Sequence, residues 1–154
     1  MPRKSIKKNK NIYFMSREKS GLSREAASEL LDGISEDRIE RIESDRFSPH
    51  PDEILSMAKA YKDPLLVNQY CTSECPIGKK YTPKVTDDEL AGIVLQIMDC
   101  VNGLSESKDR LVSISADGII DENERPEFEA ICSQLERISV AATTLKYWME
   151  GRLG

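Results

Sequence analysis

From Asn11 onward the apolar positions fall in short blocks at three- and four-residue spacing, and each block is flanked by helix-capping chemistry. "IYFMSREKS" follows Asn11, an N-cap residue, and Gly21 is placed to end that helix. "REAASELL" follows Ser23, with Ala26 and Ala27 each four residues before Leu30 and Leu31. Asp32-Gly33 makes a turn, and Ser35 caps "EDRIERIES", whose Ile39 and Ile42 share one face. Ser48-Pro49-His50-Pro51 breaks the chain and opens a fourth helix. Pro51 suits its first position, Asp52 and Glu53 suit its positive end, and Ile54, Met57, Ala58 and Tyr61 line its inner face. Asp63-Pro64 starts a fifth helix, "LLVNQYC".

The pattern then changes. "TSECPIGKKYTPKV" has Pro, Gly and Ser without periodicity and reads as a linker over 71–85. Beyond it Thr86 and Glu89 have capping-box spacing, followed by a strong stripe of Leu90, Ile93, Val94, Ile97, Met98, Val101 and Leu104. "GLSES" predicts a break, and a short helix after it ends at "SADG". Asp121 and Glu124 cap a last long helix with Phe128, Ile131, Leu135, Ile138, Leu145 and Trp148 on one side; Pro126 is tolerated near its start. The expected fold class is all-α: a five-helix domain over 12–70 and a helical bundle or hairpin over 86–154. The second region has more apolar face than one helical pair buries, which predicts a homodimer through residues 86–154.

Charge sharpens this division. The net charge is -5, but residues 1–63 carry 13 Lys and Arg against 12 Asp and Glu, and residues 64–154 carry 9 against 15. The first eleven residues form a basic arm, with Arg3, Lys4, Lys7, Lys8 and Lys10 and no acid, which reads as a disordered solubilising tail or as a nucleic-acid contact. No apolar run approaches the roughly 18 residues that cross a membrane, and no signal peptide follows the basic start, so a cytoplasmic location is expected.

Residues 22–42 supply a capped helix, a Gly-containing turn and a second capped helix with two inward isoleucines. Such a pair can lay its second helix in a DNA major groove while the first spans the backbone. The run "REKSGLSREAASELL…ISEDRIERIESDRFSPHPDEILSMAKAY" resembles the Cro/lambda-repressor-type (xenobiotic-response-element) helix-turn-helix domain through Arg17, Glu18, Gly21, Leu22, Ser23, Ser28, Ile34, Ile39, Ile42, Glu43 and Pro49. The whole chain is also similar to helix-turn-helix regulators of anaerobic Gram-positive bacteria. The resemblance implies a repressor-type fold and sequence-specific binding of double-stranded DNA by a dimer that regulates transcription.

Three departures stand out: Gly33 is an extra turn residue, Asp45 stands where the family usually has Gly, and Glu36, Asp37 and Glu40 occupy positions that face base edges. A carboxylate can accept from cytosine N4, but near phosphates it costs affinity. The plainer role of Glu36 and Asp37 is to stabilise the helix start. Arg38 and Arg41 suit guanine or phosphate, or else pair with Asp37 or Glu40 on a solvated face. The expected DNA-contacting set is Lys4, Lys7, Lys8, Lys10, Ser23, Arg24, Glu36, Asp37, Arg38, Glu40, Arg41 and Arg46. An acidic recognition face also fits a helix-turn-helix used to dock a basic protein.

Cys71, Cys75, Cys100 and Cys132 read first as linker or core thiols. A redox pair at Cys71 and Cys75, making the chain a thiol sensor, and a four-thiolate zinc site are the alternatives. His50 reads as a cap. "SISADGIIDENE" matches half of a calcium loop, but Ser113 and Ser115 fall at its first ligand positions, so a helix stop at Gly118 and a capped restart explain it better. No nucleophile–base pair, phosphate loop or carboxylate dyad stands out, so no enzyme activity and no cofactor are expected.

Overall fold

The computed structural model describes residues 10–153. Among them are eight helices and no strand: α1 (Ile12–Lys19), α2 (Arg24–Leu30), α3 (Glu36–Glu43), α4 (Pro51–Tyr61), α5 (Leu65–Ser73), α6 (Pro76–Tyr81), α7 (Leu90–Ile114) and α8 (Arg125–Leu153). They form two compact units that meet in sequence between Thr82 and Pro83. No described helix is long and apolar enough to cross a membrane.

In the first unit, local chemistry sets the helix starts. Asn11 Oδ1 accepts from Phe14 N–H, Ser23 Oγ from Ala26 N–H and Ser35 Oγ from Arg38 N–H, each satisfying a donor the first helical turn leaves open. At α4, Pro51 takes the first position and His50 N–H donates to the Glu53 carboxylate at 2.7 Å. Gly21 and Gly33 adopt positive φ in the turns around α2. The inner faces then close one core, with Tyr13, Ala27, Leu31, Ile34, Ile39, Ile42, Ile54, Met57, Tyr61 and Leu66 buried together.

Asp45 has φ +58, in the left-handed region that glycine enters most readily at the end of a helix. Its N–H donates to Ile42 O and that of Arg46 to Arg41 O, the paired bonds that end a helix through a left-handed residue. Aspartate tolerates that conformation better than most residues, and Asp45 Oδ1 also accepts from Asn11 Nδ2 at 2.8 Å.

The segment expected to be a linker is largely helical. α5 runs on to Ser73, so Cys71 is helical, and Pro76 opens α6 at the position where a missing N–H costs nothing. Gly78 is what allows this: a Cβ there would lie 2.2 Å from Cys71 O, so only glycine lets α6 rest on α5. The Pro and Gly that read as loop punctuation are a helix start and a helix–helix contact.

The second unit is a two-helix hairpin. The Arg137–Asp99 and Arg110–Glu127 ion pairs and the packing of Gly103 against Gln134 make α7 and α8 antiparallel. Two expectations fail here. There is no break at "GLSES": Gly103 faces Gln134 of α8, the hydroxyls of Ser105 and Ser107 satisfy themselves on Val101 O and Gly103 O, and the helix runs on for 25 residues. Nor do Thr86 and Glu89 form a capping box: Thr86 Oγ1 donates to Asp88 instead, and Glu89 itself is the N-cap. The restart before α8 forms as expected, with Gly118 at positive φ and Asp121 Oδ1 accepting from Asn123 N–H and Glu124 N–H.

Candidate nucleic-acid interface

The α2–turn–α3 pair is held from beneath by one buried carboxylate. Glu43, at the end of α3, receives two hydrogen bonds from Arg17 of α1 and one at 2.8 Å from Arg24 Nε of α2. Arg17 Nη1 also donates to Leu22 O at 2.7 Å, tying the start of the motif to α1. Burial opposes the Arg17 charge, but the bonds to Glu43 outweigh it and hold the guanidinium protonated more firmly than usual. Three helices thus converge on one charge, and two of the residues that carried the family resemblance prove to be its structural lock. The Tyr61 hydroxyl lies buried beside it without a hydrogen-bond partner among the described residues; burial and the Glu43 charge push its pKa up to about 12.

With Ile39 and Ile42 fully buried beneath it, α3 turns Glu36, Asp37 and Arg41 outward, while Arg38 and Glu40 lie half-buried at the sides. Every arginine of this region is engaged. Arg41 pairs with Asp37 one helical turn earlier at 2.8 Å. Arg46 grips both oxygens of Glu40 at 2.7 and 2.8 Å and donates to Ser44 Oγ. Arg38 grips both oxygens of Glu53 on α4, each at 2.8 Å, and reaches Ser48 O. The Glu53 carboxyl is held below its ordinary pKa, first by Arg38 and then by His50 N–H. Glu36 has no ion-pair partner among the described residues.

Phe47 completes the patch. Just past the end of α3, it is 53% exposed, with the guanidinium carbons of Arg38 and Arg41 at 5.8 and 5.7 Å from its ring centre. The sequence offered only weak signals for it, an aromatic between an arginine and Ser-Pro in an otherwise polar turn.

Of the other expected contact residues, Ser23 spends its hydroxyl on the α2 cap, Arg24 is committed to Glu43, and Lys10 lies against α1, bonded to Glu18 and over the Phe14 ring. Lys4, Lys7 and Lys8 lie outside the described residues. The structure therefore brings Arg38, Glu40, Arg41, Arg46, Asp37 and Glu36 together and places Ser23, Arg24 and Lys10 in structural roles.

Among the described residues no group of three or more His, Cys, Asp and Glu side chains is arranged to hold a metal. No family model, curated protein or solved structure matches the chain.

Proposed function

We propose that this chain is a sequence-specific, double-stranded-DNA-binding transcriptional regulator that acts as a dimer. One observation supports the reading above the others: α3 is anchored by two buried isoleucines and presents arginines whose carboxylate partners are exchangeable. The Arg41–Asp37 pair is solvent-exposed and the Arg46–Glu40 pair lies at the surface with only Glu40 half-buried. Such pairs contribute about 0–1 kcal/mol, so phosphate or guanine can replace the carboxylate, the main cost being the repulsion of the carboxylate left beside the DNA. Arg24 and Arg38 are bound to more deeply buried acids and stay in place, so direct contact with DNA falls to Arg41 and Arg46. Glu36, free of an arginine, suits a cytosine amino group. The basic arm supplies phosphate contacts, and the outward apolar face of α7 supplies the dimer.

The same pairing favours a second reading, in which the face docks a basic protein: Glu36, Asp37, Glu40 and Glu53 outnumber Arg38, Arg41 and Arg46. Binding isotherms on pooled genomic fragments at two salt concentrations separate the two. DNA reading predicts a tight fraction, a loss of about 1–3 kcal/mol in Arg41→Ala, and a shallower salt slope once residues 1–10 are removed. Dissociation constants no tighter than about 10⁻⁴–10⁻⁶ M for every fragment are the non-specific level and leave the docking reading standing.

A further inference from the structure

Cys71 and Cys75 are four residues apart across the end of α5, and both are half-buried and open to solvent. Their surroundings are more specific than those of linker thiols. Cys75 is the N-cap of α6, with its sulfur 3.4 Å from Gly78 N–H. Gly78 in turn lies directly on the Cys71 carbonyl. One sulfur caps the short helix while the backbone of the other residue is the seat on which that helix rests.

The chain stays coiled between them: Glu74 N–H and Cys75 N–H both donate to Tyr70 O, at 2.9 and 3.2 Å. One turn of coil brings Cα atoms into the 4.4–6.8 Å range that a disulfide spans. Bridging also needs the Cβ atoms drawn closer than a regular helix holds them. The adjustment is available here, because Glu74 (φ -120, ψ -40) and Cys75 (φ -73, ψ 121) have already left helical geometry. Proximity is also felt electrically: burial, and next the neighbouring Cys75, raise the pKa of Cys71. The other two thiols lack this arrangement. Cys100 is buried in the α7–α8 seam, and Cys132 is on α8.

We propose that Cys71 and Cys75 form a modification site, a dithiol that a hydroperoxide closes into an intramolecular disulfide. One thiolate attacks the peroxide, its sulfur takes one oxygen, and the other leaves as water (or as an alcohol from an organic hydroperoxide), giving a sulfenic acid. The second thiol then attacks that sulfur, the S–S bond forms, and a second water leaves. Two thiols are oxidised by two electrons and one peroxide is reduced. Closure recruits the sulfur that caps α6 and draws on Glu74, whose carboxylate accepts from the Tyr13 hydroxyl in the core of the first unit. The disulfide therefore loosens α6 and reaches α1 through one residue.

The test uses the full chain, reduced and then treated with stoichiometric hydrogen peroxide, alkylated under denaturing conditions and digested with trypsin. Both cysteines fall on the one peptide covering 63–79. The expected product is that peptide lighter by two hydrogens, unalkylated, and restored by a reductant, while Cys100 and Cys132 remain alkylatable. Hydrogen exchange of the oxidised protein should be faster at Gly78 and Lys79 than in the reduced protein, and unchanged by peroxide in Cys71→Ser. A 63–79 peptide that stays fully alkylatable, that ends as sulfinic acid, or that crosslinks to a second chain overturns the proposal.

Discussion

The two units bury their apolar residues in different ways. The first wraps short helices around a closed core and leaves its large exposed apolar residues scattered: Met15, Leu30, Phe47, Leu55, Ile77 and Tyr81. The second has two helices of 25 and 29 residues that bury only a thin seam, made by Ile93, Cys100 and Ile114 from α7 and by Ile131, Ala141 and Thr144 from α8. Along α7 the broad stripe divides. Ile93 and Cys100 turn inward, while Leu90, Val94, Met98 and Val101, at spacings of four, four and three, stay 39–51% exposed. Helix length alone does not make a core. A single pair of helices offers each partner one face, and residues a third of a turn away remain outside.

The largest effect should come from Glu43→Ala. Removing a buried carboxylate that holds two arginines leaves uncompensated charge and is expected to cost about 3–5 kcal/mol. The loss should fall on the first unit, so calorimetry should show one transition moving down and a second left in place. A single transition that shifts as a whole would break the comparison, because the units would then fold as one.

A smaller effect is expected from Met98→Glu on the outer face of α7. If a second copy covers that face, the variant loses about 1.5–3 kcal/mol of apolar burial and gains a charge in the interface. Light scattering should then show a wild-type dimer and a variant monomer at the same micromolar concentration. A wild-type monomer at that concentration would remove the dimer from the proposed function.

The smallest concerns acid. Because the folded-state pKa of Glu53 lies below its ordinary value of about 4.3, the pair with Arg38 contributes fully above that pH and is lost as pH falls through the folded value. The pair is half-buried at the edge of the unit, where solvent still screens it, so the contribution is about 1 kcal/mol. Acid unfolding of the first unit should therefore be shallower below about pH 4 in Glu53→Gln than in the wild type, with the hairpin unaffected. Identical acid limbs would show that the Arg38–Glu53 grip does not hold α3 to α4.

Much of this molecule was legible from its chain. Asn11, Ser23, Ser35 and Pro51 marked helix starts correctly, and Gly21 and Gly118 marked stops, because caps and left-handed turns depend on atoms within about four residues. The periodicity of Ile39, Ile42, Ile54 and Met57 gave their inward faces for the same reason. Residues that owe their conformation to a distant neighbour were not legible. Gly103 and Gly78 read as breakers, yet each is a contact point, against Gln134 and Cys71, and only the packed pair of helices shows which. The arginines are the clearest case. The sequence put positive charge on and beside α3, but Glu43 and Glu53, far enough along the chain for any of several pairings, decide that Arg24 and Arg38 brace the fold, while Arg41 and Arg46 pair with Asp37 and Glu40. Local hydrogen bonding is written in order along the chain; charge pairing is set by which side chains folding brings within about 3 Å of each other.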